Sequence, residues 1–565
     1  MKYVRWHRAT DLVMASLVLA LCIVPGAFAQ ANRFDYDDDA IRGLRYAAWE
    51  AGTIIGSAAS PYSRSDLALS LDRSALFTGE LSTEARLALE RVAVMLASGF
   101  QLDSLGFGAA IGATTTLEAY PRLYGGKEPG TSWAWADRRP ILSIPIELGA
   151  LGALYAKYIV DIQEDHNTIE RIVDPANDSN WIESLDYVDY TFPFESFVAA
   201  EYGPLSFSVG RDRLRWGPGR TGTLVLSDAP DYYDYLDAGL GGEWFSYRFA
   251  RVSIDPSLRP PGEVIDDDAM AAKNLFLHRF EALLGGRVAL ALVEGLMVGG
   301  VEPDLAYANP FLILHNRFAW NATLFESAAS VLGLELRFNP WRYMELYGSF
   351  AMNQLQTSYE RERYAGDAEA IPNAYAWLAG GEGAYPFMGG WIRASLEYVF
   401  TNPWMYIREN RFTSFTWRRR LTSNVAGADQ LCDSFIGYRY GPDARVYYGA
   451  LGWDAPGMLS FQASVEYAER GEQGLYTEYK EGDAALALTT PTGIVERSSN
   501  LGFEVSWCPR HGIDVYGALE LRFVDNAGQQ SGVSATVLDG RLGCTVSFPE
   551  VVRDGRARVG FKELP

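Results

Sequence analysis

The segment Leu459-Ser460-Phe461-Gln462-Ala463-Ser464-Val465-Glu466-Tyr467 alternates apolar and polar side chains along its whole length. A period of two residues is that of a β-strand whose two faces meet different surroundings. The same alternation recurs from Ala153 to Gln163 and from Ile513 to Phe523, and turn signals such as Asn339-Pro340 separate these runs. Because the period of two begins near Leu105 and continues onward, we expect β-structure over most of the chain.

The composition indicates that these strands form a membrane barrel. The chain contains 32 Tyr, 15 Trp and 55 Gly, which suits aromatic girdles at the membrane interfaces and tight turns. About 450 residues at roughly 25 residues per strand and connection give about 18 strands. We therefore predict an all-β transmembrane barrel of about 18 antiparallel strands with a small N-terminal α-helical segment. The C-terminal Pro565 departs from the terminal aromatic residue that we expect on such a barrel.

The N-terminus has the pattern of a secretory signal peptide. Lys2, Arg5 and Arg8 precede an apolar run from Leu12 to Val24, and Ala27-Phe28-Ala29 offers small residues for cleavage. This pattern predicts a signal peptide over residues 1–29 and export to the outer membrane. Cys22 raises a lipoprotein alternative, which ranks low because the bulky Leu21 precedes it.

Residues 30–102 are predicted to form a helical periplasmic or plug segment, and residues 103–565 the barrel. Ala85, Ala88, Leu89, Val92 and Leu96 form one apolar stripe at helical spacing, an earlier helix is expected over about Asp39 to Ala51, and Ser63-Arg64-Ser65-Asp66 resembles a capping box. The sequence leaves open whether these helices plug a barrel mouth or form an ordinary helical domain.

The net charge and the motifs of the sequence disfavour several classes of partner and of catalytic function. A net charge of −22 disfavours nucleic acid as a partner and favours neutral or cationic ligands, while the barrel itself requires outer-membrane lipid. The sequence has neither the common hydrolase and nucleotide-binding motifs nor a metal-ligand pattern, so we expect a non-enzyme without cofactors or metal. Whether Cys432, Cys508 and Cys544 pair is left open.

The stretch from Gly210 to Gly222 is the strongest candidate for ligand contact. It places four arginines and a tryptophan on a glycine-proline turn after a strand-like segment. Such groups bind sugars and carboxylates, but pairing with acidic barrel side chains is equally economical. The candidate ligand-binding residues are Arg211, Arg213, Arg215, Trp216, Arg220 and Asp228. Since three of these arginines share parity with apolar Leu205, either the strand leaves the hydrocarbon before Arg211 or a bulge near Gly210 reverses its faces.

A second set of polar residues is predicted to form a hydrogen-bonded network in the lumen. Its candidate members are His278, Arg279, Glu281, Glu294, Asn309 and His315. Metal binding or acid–base chemistry would require these residues to converge, and their spacing shows no such convergence. Because Glu294 lies in the apolar run Val288 to Val298, we expect it to face the lumen beside Arg279 or His278.

Several of these motifs occur together in an order that resembles a known family. Trp216-Gly217-Pro218-Gly219 and Leu224 to Asp228 are followed by His278-Arg279-Phe280-Glu281, Glu294-Gly295, Gly299-Gly300, Leu305 to Pro310 and His315. This region, from about Ser196 to Phe318, resembles the capsule-assembly Wzi family of outer-membrane proteins. The resemblance implies lectin-like binding of capsular or other surface polysaccharide, with other capsule export or assembly proteins as partners. The alternative function is a porin or substrate-specific channel.

The signal-peptide pattern predicts the mature N-terminus. Protein purified from the membrane fraction should begin at Gln30 and should show heat-modifiable migration in gel electrophoresis. N-terminal sequencing after membrane fractionation measures this. Recovery of the chain as a soluble periplasmic protein would contradict the barrel prediction.

Overall fold

In the computed structural model, an N-terminal helical segment precedes a long succession of β-strands. The described residues are 31–75, 81–97, 106–126, 138–151, 153–164, 179–182, 188–189, 193–255, 272–301, 304–314, 327–355, 372–408, 411–421, 430–479, 488–553 and 559–562. The helices are α1 (Asp39–Ala51), α2 (Arg64–Ala75) and α3 (Thr83–Ala97). The predicted stripe on α3 is buried. The predicted capping box is confirmed, because the Asp66 backbone N–H donates to Ser63 Oγ at 3.1 Å and the Ser63 N–H to Asp66 at 3.3 Å.

The strands take up most of the remaining described chain. Their bounds are β1 Arg33–Phe34, β2 Ala59–Ser60, β3 Tyr62–Ser63, β4 Phe107–Ala119, β5 Arg122–Gly126, β6 Leu142–Ala150, β7 Leu154–Ile162, β8 Ser196–Tyr202, β9 Leu205–Asp212, β10 Arg215–Trp216, β11 Tyr233–Leu240, β12 Phe245–Ile254, β13 Lys273–Leu284, β14 Val288–Gly299, β15 Ala328–Phe338, β16 Met344–Gln354, β17 Ala374–Phe387, β18 Gly390–Thr401, β19 Thr416–Leu421, β20 Gln430–Phe435, β21 Ala444–Ala455, β22 Leu459–Arg470, β23 Glu496–Arg510, β24 Ile513–Asp525, β25 Ser534–Arg553 and β26 Val559–Lys562.

The long strands close into a barrel. Neighbouring strands pair antiparallel all the way round, and β25 closes the ring against β4 with Leu542 opposite Ala119. Strand β5 continues β4 along β25, and β26 extends the far end of β25. Counted in this way, the described part of the chain forms the predicted closed barrel of 18 antiparallel strands. Among the same residues, no helix is both long and apolar enough to cross a membrane.

The two ends of the barrel differ in the length of their connections. One end has tight turns, such as Gly203-Pro204 between β8 and β9 and Met388-Gly389 between β17 and β18. The other end carries long connections, among them residues 213–232 and 402–443. Short turns on one side and long loops on the other are typical of outer-membrane barrels.

The N-terminal helical segment lies inside the short-turn end. Trp49 on α1 donates from Nε1 to Glu345 at 2.7 Å, and the Arg33 guanidinium pairs with Asp237 at 3.0 Å. Both carboxylates belong to the inner face of the barrel wall. The segment is therefore a plug in the barrel mouth. Its predicted boundaries near residues 29 and 102 lie outside the described residues and stay predictions.

Residues 213–232, which we call the inward loop, fold into the barrel from the long-loop end. Within this loop β10 pairs with β2 of the plug, so that Arg215 lies opposite Ser60 and Trp216 opposite Ala59. The Gly217 N–H also donates to the Ala58 carbonyl oxygen at 2.9 Å. The plug and the inward loop therefore meet inside the barrel and share backbone hydrogen bonds.

This packing fills the lumen unevenly. Inner side chains of β13, β14 and β15 are fully covered, as shown by Leu277 and Val293 at 0% exposure and Val331 at 1%. In contrast, no residue of β23 is buried on either face. The inner-facing side chains of β23 are Ser498, Asn500, Gly502, Glu504 and Ser506. We call the inner side of β23, with the adjoining parts of β22 and β24, the open lumen face, although Gln462, Glu466 and Ala468 on β22 are buried.

Candidate functional site

The inward loop holds several predicted ligand residues in protein contacts. The Arg215 guanidinium pairs with Asp228 at 3.0 Å and stacks 4.4 Å from the Tyr36 ring of the plug. Burial would lower the pKa of Arg215, but the Asp228 carboxylate raises it overall. Trp216 is 1% exposed and belongs to the main buried cluster. Arg215, Trp216 and Asp228 therefore support the junction between the plug and the loop.

The bend in this loop depends on glycine and on one buried carboxylate. Gly217 and Gly219 have φ values of +116° and +138°, and a Cβ atom at Gly219 would overlap the Gly222 carbonyl oxygen. Glu397 on β18 accepts hydrogen bonds from the backbone N–H groups of Arg220 and Thr221, the latter at 2.9 Å. Larger residues on either side of Pro218 could not follow this bend without strain.

Arg211 and Arg213 lie apart from this junction. The register of β9 continues without a shift through Arg211, which is opposite Asp234 on one side and Ser196 on the other. Arg211 therefore keeps the outward parity of the apolar residues, and the bulge alternative does not hold. It lies one residue before the strand ends, pairs with Asp234 at 2.7 Å and lies 3.9 Å from the Tyr232 ring. Arg213 follows the strand end and is exposed.

The residues of the predicted lumen network lie on both faces of the barrel wall. Arg279 and Glu281 do face inward, where Arg279 pairs with Glu335 at 2.8 Å and Glu281 pairs with Arg337 at 3.1 Å. Ser57 of the plug also donates to Glu281 at 3.1 Å. This inner half of the set fixes the plug to the wall.

The expectation that Glu294 and His278 face the lumen is wrong. His278 and Glu294 are cross-strand partners on the outer face, and Glu294 shares the parity of exposed Leu290 and Leu292. The segment 304–314 folds back over the outer wall, where the Tyr307 carbonyl lies 2.8 Å from His278 Nε2. This cover and the Tyr247 hydroxyl, 2.7 Å from Nδ1, satisfy the imidazole. Polar groups can therefore occupy this face without direct contact with lipid.

The remaining predicted members of that network lie on or beyond the covering segment. Asn309 closes a short turn there, since its N–H donates to the Ala306 carbonyl and its side chain accepts from the Phe311 N–H, at 3.1 and 3.0 Å. It is therefore outside the lumen. His315 lies outside the described residues.

A group that the sequence reading did not single out lies in the long-loop half of the open lumen face. We call Arg439, Tyr440, Glu466 and Arg470 the arginine–tyrosine cluster. The Tyr440 hydroxyl donates to Glu466 at 2.6 Å, and Arg439 pairs with the other oxygen of the same carboxylate. The guanidinium carbons of Arg439 and Arg470 lie 5.1 and 5.8 Å from the centre of the Tyr440 ring. Predicted residue Arg220 lies on this side of the lumen and reaches Gln462 at 3.5 Å.

This cluster remains accessible, unlike the junction beneath it. The side chains of Arg439 and Arg470 are 45% and 43% exposed, whereas that of Arg215 is 9% exposed. Burial raises the pKa of the Tyr440 phenol, although Arg439 acts in the opposite direction. The phenol therefore stays protonated at neutral pH and keeps its hydrogen bond to Glu466.

A local sequence signal marks the cluster. Tyr438-Arg439-Tyr440-Gly441-Pro442 combines arginine, aromatic rings and a glycine-proline turn. These are the criteria that singled out Gly210 to Gly222. Applied evenly along the chain, they would have identified both loops.

The chemistry available at this site is binding. Two guanidinium groups flank an aromatic ring, which suits stacking on a sugar ring together with hydrogen bonds to hydroxyl or carboxylate groups. Among the described residues, no group of three or more His, Cys, Asp or Glu side chains is arranged to hold a metal ion. Cys508 and Cys544 are free thiols, and the Cys432 side chain lies outside the described set.

The burial of Trp216 predicts different effects for two neighbouring substitutions. Trp216→Ala should lower the free energy of unfolding by about 3–5 kcal/mol, because it leaves a cavity at the junction. Arg213→Ala should change it by about 0.5 kcal/mol or less, since Arg213 is exposed. Urea denaturation of the refolded protein in detergent measures both values. Equal small effects would show that the junction is not packed as described.

Comparison with solved structures shows that this fold occurs in an outer-membrane barrel. No family model matches the chain, and no curated protein matches it. Among solved structures, Wzi from Escherichia coli, described as an outer-membrane protein involved in group 1 capsule assembly and a carbohydrate-binding β-barrel, aligns at a TM-score of 0.56 and 12% identity. The alignment covers 92% of this chain and all of Wzi.

Other barrels align more weakly. Pseudomonas aeruginosa OpdQ has a TM-score of 0.40 at 8% identity, covering 78% of this chain and 98% of its own. A BenF-like porin from Pseudomonas fluorescens Pf-5 has a TM-score of 0.39 at 9% identity, with the same coverage of 78% and 98%. The similarity to Wzi predicted from the sequence motifs is thus confirmed at the level of the fold, and the chain is a β-barrel of the outer-membrane type with the Wzi fold.

Proposed function

We propose that this protein is exported by its signal peptide to the outer membrane, where it binds capsular or other surface polysaccharide without catalysis and assists its attachment or assembly. The observation that carries the proposal is the accessible arginine–tyrosine cluster in the long-loop half of the lumen. Long loops face the cell exterior in barrels of this type. A glycan at the cell surface would reach the cluster from that side.

The chemistry of the cluster supports a sugar ligand. Tyr440 offers an amphipathic ring, and Arg439 and Arg470 offer planar arrays of donors that fit hydroxyl or carboxylate oxygens. Glu466 accepts a hydrogen bond from Tyr440 and fixes its orientation. With a net charge of −22, the whole molecule repels polyanions, so an acidic glycan would be held by this local group of arginines and not by the general surface field.

The Wzi fold is consistent with this proposal, since Wzi itself is described as a carbohydrate-binding barrel involved in capsule assembly. We extend to this chain the same class of ligand and, as partners, other capsule export or assembly proteins. Three of the ligand residues predicted from the sequence have a structural role in this proposal. Arg215, Trp216 and Asp228 hold the inward loop in place, while Arg220 reaches Gln462 on β22, nearer the short-turn end.

A specific observation favours a second function, that of a narrow channel. All inner side chains of β23 are accessible along the strand, so the plug does not cover this side of the lumen. Reconstitution into planar bilayers separates the two functions. Large steady conductance would support a channel, and electrical silence together with glycan binding would support the lectin-like role.

Glycan binding should depend on the arginines of the cluster. The double substitution Arg439→Ala and Arg470→Ala should weaken glycan binding at least about tenfold, because each charge-assisted hydrogen bond contributes about 1.5–3 kcal/mol. Surface polysaccharide per cell at matched barrel abundance measures retention, and a glycan array with purified protein measures affinity.

Arg497→Ala is the matched control for this experiment. The Arg497 side chain is 46% exposed and pairs with Glu469 at 3.3 Å, but it lies on the outer face. The Arg497→Ala substitution should therefore leave glycan retention unchanged. If the double variant retains as much glycan as wild type, the cluster is structural and the proposed site is wrong.

A further inference from the structure

A second group of arginines surrounds a small cavity between the plug and the wall. We call it the arginine pocket. Its walls include four guanidinium groups, from Arg42, Arg45, Arg220 and Arg393, and one carboxylate, from Glu382. The cavity volume is about 20 Å³. The pocket is separate from the arginine–tyrosine cluster, because it lies against α1, β17 and β18 in the short-turn half of the barrel.

The positive charge around this pocket is only partly paired, since Glu382 attracts Arg45 and Arg220 without forming a direct ion pair with either. Arg42 has a partner in Asp454 at 2.7 Å. Arg45 instead contacts the carbonyl and the ring of Tyr36, at 3.3 and 4.0 Å, and Arg220 reaches the neutral side chain of Gln462 at 3.5 Å. Among the described residues, no carboxylate lies within 4.0 Å of the guanidinium nitrogens of Arg45, Arg220 or Arg393.

One buried donor and one buried acceptor at the pocket also lack hydrogen-bond partners. Arg393 Nε and Glu382 Oε1 are both buried and lack a hydrogen-bond partner. A buried donor or charge without a partner costs free energy of the order of one to several kcal/mol. Within the protein this cost remains at Arg393 Nε and at Glu382 Oε1.

We propose that the arginine pocket binds one small monovalent anion of the halide class, with chloride as its occupant. The volume of about 20 Å³ suits one water-sized species. A chloride ion would accept hydrogen bonds from several guanidinium groups at once. It would offset the positive charge that Glu382 and Asp454 leave uncompensated.

The position of the pocket gives such an ion a structural role. Arg42 and Arg45 belong to the plug helix α1, Arg220 belongs to the inward loop, and Arg393 belongs to wall strand β18. One anion would therefore connect three parts of the chain that are distant in sequence. Since an ion that binds only the assembled arrangement stabilises it by mass action, chloride should hold the plug in the barrel.

Hydrogen exchange of the α1 amides in the full-length protein tests this role. In sodium chloride at ten times the half-saturating concentration, exchange should be about tenfold slower than in sodium gluconate of equal ionic strength. The effect should saturate with chloride concentration. Arg393→Gln should abolish the anion dependence, and Arg497→Gln, which alters an exposed outer-face arginine, should leave it unchanged.

Bromide gives a second readout that needs no variant. Crystals of wild-type protein in sodium bromide should show an anomalous peak in the pocket, within hydrogen-bonding distance of the Arg220 and Arg393 guanidinium groups. If Arg393→Gln does not fold, this readout still shows whether an anion occupies the arginine pocket. Absence of the peak, or exchange that is the same in chloride and gluconate, would overturn the proposal and leave water as the occupant.

Discussion

The structure depends on the meeting of two chain segments inside a barrel that would otherwise be open. Pairing of β2 with β10 joins the N-terminal plug to the inward loop. Arg248 on the wall supports this joint, since it donates to the carbonyl oxygens of Ala59 and Pro61 at 2.7 and 3.0 Å while it pairs with Asp237 at 2.7 Å. Irregular backbone inside a barrel must satisfy its hydrogen bonds, and here each segment supplies partners for the other.

Because this joint lies off-centre, it covers one side of the lumen and leaves the other side accessible. Apolar inner side chains of β13 to β15 pack in one cluster with the inward loop, whereas the inner side chains of β23 remain accessible. The accessible side carries the arginine–tyrosine cluster in its long-loop half. The proposed binding cluster and the plug therefore lie on different sides of one barrel, so a change in one need not disturb the other.

The sequence was informative where local periodicity decides the structure, and uninformative where distant segments meet. The alternation in Leu459 to Tyr467 predicted β22 because each side chain must suit lipid or lumen. The pairing of β2 with β10 spans more than 150 residues and has no local signal. Glu294 was assigned to the wrong face because its apolar surroundings give no contrast between faces and because the covering segment 304–314 could not be foreseen. The arginine–tyrosine cluster was missed, although Tyr438 to Pro442 carried the same signal as Gly210 to Gly222.

Thiol accessibility tests the uneven filling of the lumen most directly. In a background with Cys432, Cys508 and Cys544 replaced by serine, Glu504→Cys places a thiol on the open lumen face and Val293→Cys places one beneath the inward loop. In the folded barrel, a water-soluble maleimide should modify Glu504→Cys about a hundredfold faster, because it reaches Val293→Cys only through local opening that costs a few kcal/mol. Equal rates at the two positions would contradict the account, since they would mean that the plug and the inward loop do not cover one side of the lumen.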